Sequence, residues 1–137
     1  MDRFIHLLQP VDSAQFLAAV FLAILFLQSG VDKLVDFAGN LSWLQGHFAK
    51  SPLAGFVKPM LATITLTELA AGFVCAGGAV QVAWTGDSGI ALRGAQLAAA
   101  NIVMLFFGQR LAKDYAGAAT LAGYFVLAVG AVLLMSL

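Results

Sequence analysis

Charge is what this chain lacks most. Lys and Arg number seven, Asp and Glu seven, and charged residues make up 10% of its 137 positions, against roughly 25% in an average soluble domain. With no basic excess, it lacks the electrostatic footprint of a nucleic-acid binder. Cysteine occurs once, at Cys75, so no intramolecular disulfide and no CxxC pair can form, which excludes a thiol–disulfide enzyme working alone. Histidine occurs twice, His6 and His47, both outside the strongly apolar runs. A b-type haem therefore finds no pair of intramembrane ligands, and a zinc or iron–sulfur cluster no ligand set. No Ser/His/Asp set, phosphate loop or two-histidine helix is present, so no complete catalytic constellation can be assembled. The leaning is away from an enzyme, with no covalently bound or metal-held cofactor expected.

Apolar residues are what the chain has instead. They reach 61%, with a mean hydropathy of +0.93. So small a soluble protein could not hide that much apolar surface, because its surface-to-volume ratio is too high. A helix needs about 20 residues to cross ~30 Å of hydrocarbon. Four runs qualify, at about 13–31, 59–83, 92–111 and 114–136. No period-two alternation recurs, and a β-barrel would need about eight strands of ~10 residues. The expected fold is an all-α membrane protein, one domain over 1–137, built as a four-transmembrane-helix bundle. The N-terminus carries Asp2, Arg3 and Asp12 and is followed by no A-x-A-like cleavage pattern. It is expected to be a retained first helix rather than a signal peptide, with Pro10 as the break and Asp12-Ser13 as the N-cap.

The first connection is the longest. Within it Phe37, Leu41, Leu44 and Phe48 recur at spacings of four, three and four. That stripe predicts a short amphipathic helix over about 35–50, lying at the membrane surface between helices one and two and ended by Ser51-Pro52. Lys33, Lys50, Lys58, Arg110 and Lys113 flank one side, and Arg3 and Arg93 the other. Five cations against two predict connections one and three in the cytoplasm and both termini on the non-cytoplasmic side of a bacterial inner membrane.

Glu68 is the most informative residue, because it falls well inside the second span. A central acidic residue costs about 2.5–3.5 kcal/mol on insertion, and seven large apolar residues of the same helix return roughly 3.5 kcal/mol. The carboxyl must therefore be sheltered by other helices. It is either a proton-handling or headgroup-binding group, or a structural link. Ser29 and Lys33 share a face at the end of the first helix, and Gly30 admits a close backbone. This is either a polar cup or an ordinary interfacial helix end. On the third helix Arg93, Gln96 and Asn101 fall within about 140° of arc, to line a cavity or to hydrogen-bond neighbouring helices. Lys33 lies half a helix from Glu68, so hydrogen bonds from Ser29, Gln96, Asn101 or water are expected ahead of a direct ion pair. Small-xxx-small pairs at Ala14/Ala18, Gly72/Ala76, Ala95/Ala99 and Ala119/Gly123 suit tight crossings.

The order of these features resembles the DoxX family of small four-helix bacterial membrane proteins. The resemblance spans Ala18 to about Val132. It rests on Phe26-Leu27-Gln28-Ser29-Gly30-Val31-Asp32-Lys33-Leu34, on Thr67-Glu68-Leu69-Ala70-Ala71-Gly72, and on Gly108-Gln109-Arg110-Leu111-Ala112-Lys113-Asp114-Tyr115. It implies that Ser29, Gly30, Lys33 and Glu68 form the family's polar signature, and it points towards membrane redox complexes. Three functions follow as expectations. The first is a non-catalytic accessory subunit of a larger membrane redox or energy-converting complex, with other integral membrane proteins and lipids as partners and a homo-oligomer open. The second is a module that binds a quinone, or a lipid, through Glu68, Lys33 and Asn101. The third is a small proton-coupled transporter.

Overall fold

The computed structural model describes residues 2–137, with side chains from Phe4 onward. Among the described residues there is no strand. After a 3-10 helix at Asp2–Leu8 come five α-helices: α1 Pro10–Val35, α2 Phe37–His47, α3 Val57–Thr85, α4 Gly89–Leu111 and α5 Tyr115–Met135. All but α2 are long and apolar enough to cross a membrane, which makes the chain a multi-pass membrane protein.

Local chemistry sets the helix ends. α1 begins at Pro10, whose fixed φ suits the first helical position. Its N-cap is Gln9, with no side-chain cap, so Asp12-Ser13 lies inside the first turn rather than capping it. α2 is capped by Asp36, which accepts from the Gly39 N–H at 3.2 Å, and α5 by Asp114, which accepts from the Gly117 N–H at 2.9 Å. The α4–α5 corner closes with the Lys113 N–H donating to the Arg110 carbonyl and the Asp114 N–H to the Gln109 carbonyl. Lys113 takes a φ of 60° there, in the left-handed position where glycine usually stands. Thr63, Thr65 and Thr67 donate back to carbonyls of their own helix, which satisfies their hydroxyls in an apolar medium.

Small residues set the packing. α1 lies along α3, α3 along α4 and α4 along α5, and α5 returns to α1 through a thinner contact. A Cβ on Gly30 would stand 2.7 Å from Leu69 Cδ2, and one on Gly72 would stand 2.8 Å from the Leu27 backbone nitrogen. α1 and α3 therefore meet at backbone distance at these levels. Gly78 meets Ala91 and Gly94 meets Cys75 in the same way across α3 and α4. Of the expected small pairs, Gly72 and Ala95 are buried, but Ala119 and Gly123 are both exposed.

At one end of the helices the N-terminal segment, the α3–α4 turn and the C-terminus are tied together. His6 reaches the Ala83 carbonyl at 3.0 Å. The Gln15 amide donates to the Leu134 carbonyl at 2.9 Å, and the Ser88 hydroxyl to the Met135 carbonyl at 2.7 Å. α2 and the α4–α5 corner occupy the other end.

Candidate functional site

The α1–α3 register decides where Glu68 sits. Gly30 beside Leu69 and Gly72 beside Leu27 align the two antiparallel helices, so the first turns of α3 run past the end of α1. Glu68 thus lies about one turn from Lys33, not half a helix away. The expectation that neutral groups would take precedence over an ion pair is overturned. Lys33 Nζ stands 3.2 Å from Glu68 Oε1, donates to Glu68 Oε2 at 3.2 Å, and donates to Ser29 Oγ at 2.8 Å. The Glu68 side chain is 2% exposed and that of Lys33 21%. Removing two charges from water is offset only by close pairing and added hydrogen bonds, and here Ser29 supplies one.

The other candidates separate. Gly30 is the contact point that permits this register. Asn101 is buried on α4, and its amide donates to Thr67 Oγ1 at 2.6 Å and to the Ile64 carbonyl at 3.4 Å. Its Oδ1 has no hydrogen-bond partner among the described residues. Gln96 is exposed and accepts from Arg93 at 3.0 Å, so it is no neighbour of Glu68. The arc of Arg93, Gln96 and Asn101 splits between an outward pair and an inward amide. Gln28 and Asp32, the other polar pair at the end of α1, are exposed, so the inward polar groups there are Ser29 and Lys33.

Two cavities flank the ion pair. The larger, about 670 Å³, lies under α2 between the start of α3 and the end of α4, and among the described residues Lys33 is the one charged group on its walls. Trp43, Leu44, Phe48, Met60 and Phe107 give it an apolar lining, with Asn40, Thr63 and Gln109 as neutral polar groups. The smaller, about 140 Å³, opens between α1 and α5, with Glu68, Ser29 and Tyr124 among its walls. Lys33 and Glu68 therefore stand between the two spaces. A ligand pocket of ~300–1,000 Å³ with apolar walls and a few polar groups is the usual small-molecule site.

α2 roofs the larger cavity because both of its ends are tied down. Its N-terminus follows α1 through the Asp36 cap. At its C-terminus Phe48 is buried beside Gly108. His47 Nε2 lies 3.2 Å from Gln109 Oε1 and 3.3 Å from Asp114 Oδ2, and its ring stacks on Trp43 at 4.8 Å. Of the Phe37, Leu41, Leu44 and Phe48 stripe, Leu44 and Phe48 line the cavity, beside Asn40 and Trp43 from off the stripe, while Phe37 and Leu41 are half-buried outside it. Sequence reasoning found that stripe but not what it covers: Asn40, Trp43 and Gln109 carried no signal that would bring them to one cavity.

A second polar cluster, also unforeseen, lies at the opposite end. His6 Nδ1 is 2.7 Å from Asp12 Oδ2, and Nε2 reaches the Ala83 carbonyl. Both partners are acceptors, so the ring satisfies both only when doubly protonated. The Asp12 hydrogen bond, followed by that to the Ala83 carbonyl, raises the His6 pKa above its ordinary value, against a small opposing effect of burial. Among the described residues no group of three or more His, Cys, Asp and Glu could hold a metal ion. No family model matches the chain, and neither a curated protein nor a solved structure matches it. The likeness to the DoxX family rests on the three sequence motifs alone.

Proposed function

We propose that this chain is a membrane-embedded binding module whose larger cavity takes a single amphiphilic molecule, with a hydrogen-bond-accepting head at Lys33 and an apolar body along α3 and α4. One observation carries this reading: among the described residues Lys33 is the one charged residue on the wall of an apolar cavity of about 670 Å³, and its ammonium is held by Ser29 and Glu68. An ammonium has three donors. Ser29 and Glu68 take two, which leaves one for a ligand oxygen. A quinone or an ester-headed lipid has the matching chemistry, since each offers a carbonyl oxygen on an apolar frame. In this reading the four spans form a bundle in a bacterial inner membrane and α2 lies at the cytoplasmic interface. Both termini are on the opposite side, as the cationic bias of the connections favours.

The test is extraction of the protein from native membranes into nanodiscs, followed by mass spectrometry of the organic extract. A quinone or lipid retained by the wild type and lost from Lys33→Met supports the module; equal retention by both defeats it. A second reading, an accessory subunit of a larger membrane redox complex, is favoured by α5. This helix buries only Ala118, Ala128, Ala131 and Met135 and leaves Phe125, Val126 and Leu133 exposed, a face that another membrane helix can cover as well as lipid can. Native-membrane electrophoresis that finds the chain only at its own mass would count against it.

A further inference from the structure

The geometry points to Glu68 as the residue that sets the charge selectivity of the larger cavity: it neutralises Lys33, so that the cavity accepts amphiphiles with an uncharged carbonyl head and rejects acidic ones. This rests on the ligand-binding reading and sharpens it to a class of head group. Among the described residues Lys33 is the one charged residue lining the cavity, and its ammonium lies 3.2 Å from the carboxylate of a nearly fully buried Glu68. The wall of the cavity is thus neutral, although it carries a donor. A neutral carbonyl oxygen takes the remaining N–H and leaves that balance intact. A carboxylate head in the same place would leave one uncompensated negative charge beside Glu68 in an apolar setting. Like charges brought together at a desolvated site cost several kcal/mol, and isolated buried charges are costlier still. Among the described residues no other cation lines the cavity to compensate, because its remaining polar side chains, such as Asn40, Thr63 and Gln109, are neutral.

Dibromostearic acid and its methyl ester test this, since they match in chain, bromines and carbonyl and differ in charge and one methyl group. Bromine quenches tryptophan on contact. Trp43 lines the cavity and Trp84 lies near the end of α3 at the far end. Both are more than half exposed, so W84F leaves Trp43 as the reporter and W43F gives the level of general quenching from the lipid to subtract. The measurement is made in phosphatidylcholine nanodiscs in alkaline buffer, where the acid is ionised. In the W84F protein the ester is expected to quench Trp43 at a concentration lower than the acid by on the order of tenfold or more. Adding Glu68→Gln, which keeps shape and hydrogen bonding, frees the Lys33 charge and is expected to reverse that order. An acid that quenches the W84F protein as well as the ester does overturns the inference, and so does an ester-to-acid ratio unchanged by Glu68→Gln. If that variant does not fold, the ratio in the W84F protein decides alone. Quenching by neither compound above the W43F level is the separate outcome in which the ligand-binding reading itself fails.

Discussion

At Lys33 and Glu68 the energetics favour keeping both partners or neither. Lys33→Met leaves the carboxylate of Glu68 buried with Ser29 no longer bridged to it, and breaking a buried pair in this way costs about 3–5 kcal/mol. Replacing both by apolar residues, Lys33→Met with Glu68→Leu, is expected to restore most of that loss, because no charge then remains to be desolvated. Thermal unfolding in one detergent checks this; additive losses in the double variant would show that the two side chains are not coupled. His6 yields a prediction in pH. Its folded pKa is raised above 6.5 by Asp12 and the Ala83 carbonyl, so the stabilisation is complete below pH 6.5 and is lost as pH rises through the raised folded value. The ring of Phe4 lies 6.2 Å from that of Trp84, so emission of Trp84 in a W43F protein is expected to change over that rise. His6→Gln should hold the emission constant, and an unaltered titration in that variant would assign the change elsewhere.

Among the elements, α3 carries the most constraint. Gly72→Ala places a Cβ at 2.7 Å from Leu27 Cγ and 2.8 Å from the Leu27 backbone nitrogen. The backbone atom cannot swing away as a side chain can, so α1 and α3 must separate, at a cost of roughly 1–3 kcal/mol. Gly46→Ala in α2 meets nothing within 4 Å and is expected to stabilise that helix by about 0.5–1 kcal/mol through backbone entropy. The corner before α5 offers the reverse substitution. Lys113 holds a φ of 60°, and Lys113→Gly is expected to relieve about 1 kcal/mol of left-handed strain. Unfolding midpoints of the three variants should therefore fall, rise and rise relative to the wild type; a stable Gly72→Ala protein would contradict the α1–α3 contact described above.

For the molecule as a whole, three ties hold the N-terminal segment, the α3–α4 turn and the end of α5 at one end of the helices. His6 binds α3, Gln15 binds the end of α5, and Ser88 of the α3–α4 turn binds the same end. Reporters fused before Met1 and after Leu137 are expected to give the same compartment, and the cation bias predicts the non-cytoplasmic one. Reporters active in different compartments would contradict four crossings. An active cytoplasmic reporter at both ends would preserve the four crossings and reverse the orientation.

Composition and periodicity were enough for the class of the chain and the course of its helices. Apolar runs of membrane-spanning length have few alternatives when every backbone N–H must be satisfied inside the segment. A stripe with spacings of four, three and four was enough for a helix at α2, but only its Leu44 and Phe48 line the cavity, next to Asn40 and Trp43. The burial of Glu68 followed from its insertion cost. Its partner did not, because axial register between helices is set by which small residues meet, and no single helix encodes that offset. Gly30 against Leu69 and Gly72 against Leu27 slide α3 past the end of α1, which brings Lys33 to the carboxylate. The same offset leaves the start of α3 unsupported by α1, and α2 bridges the gap without filling it. The cavity arises from that mismatch of helix lengths and register, a property of how the helices are stacked rather than of any segment read along the chain.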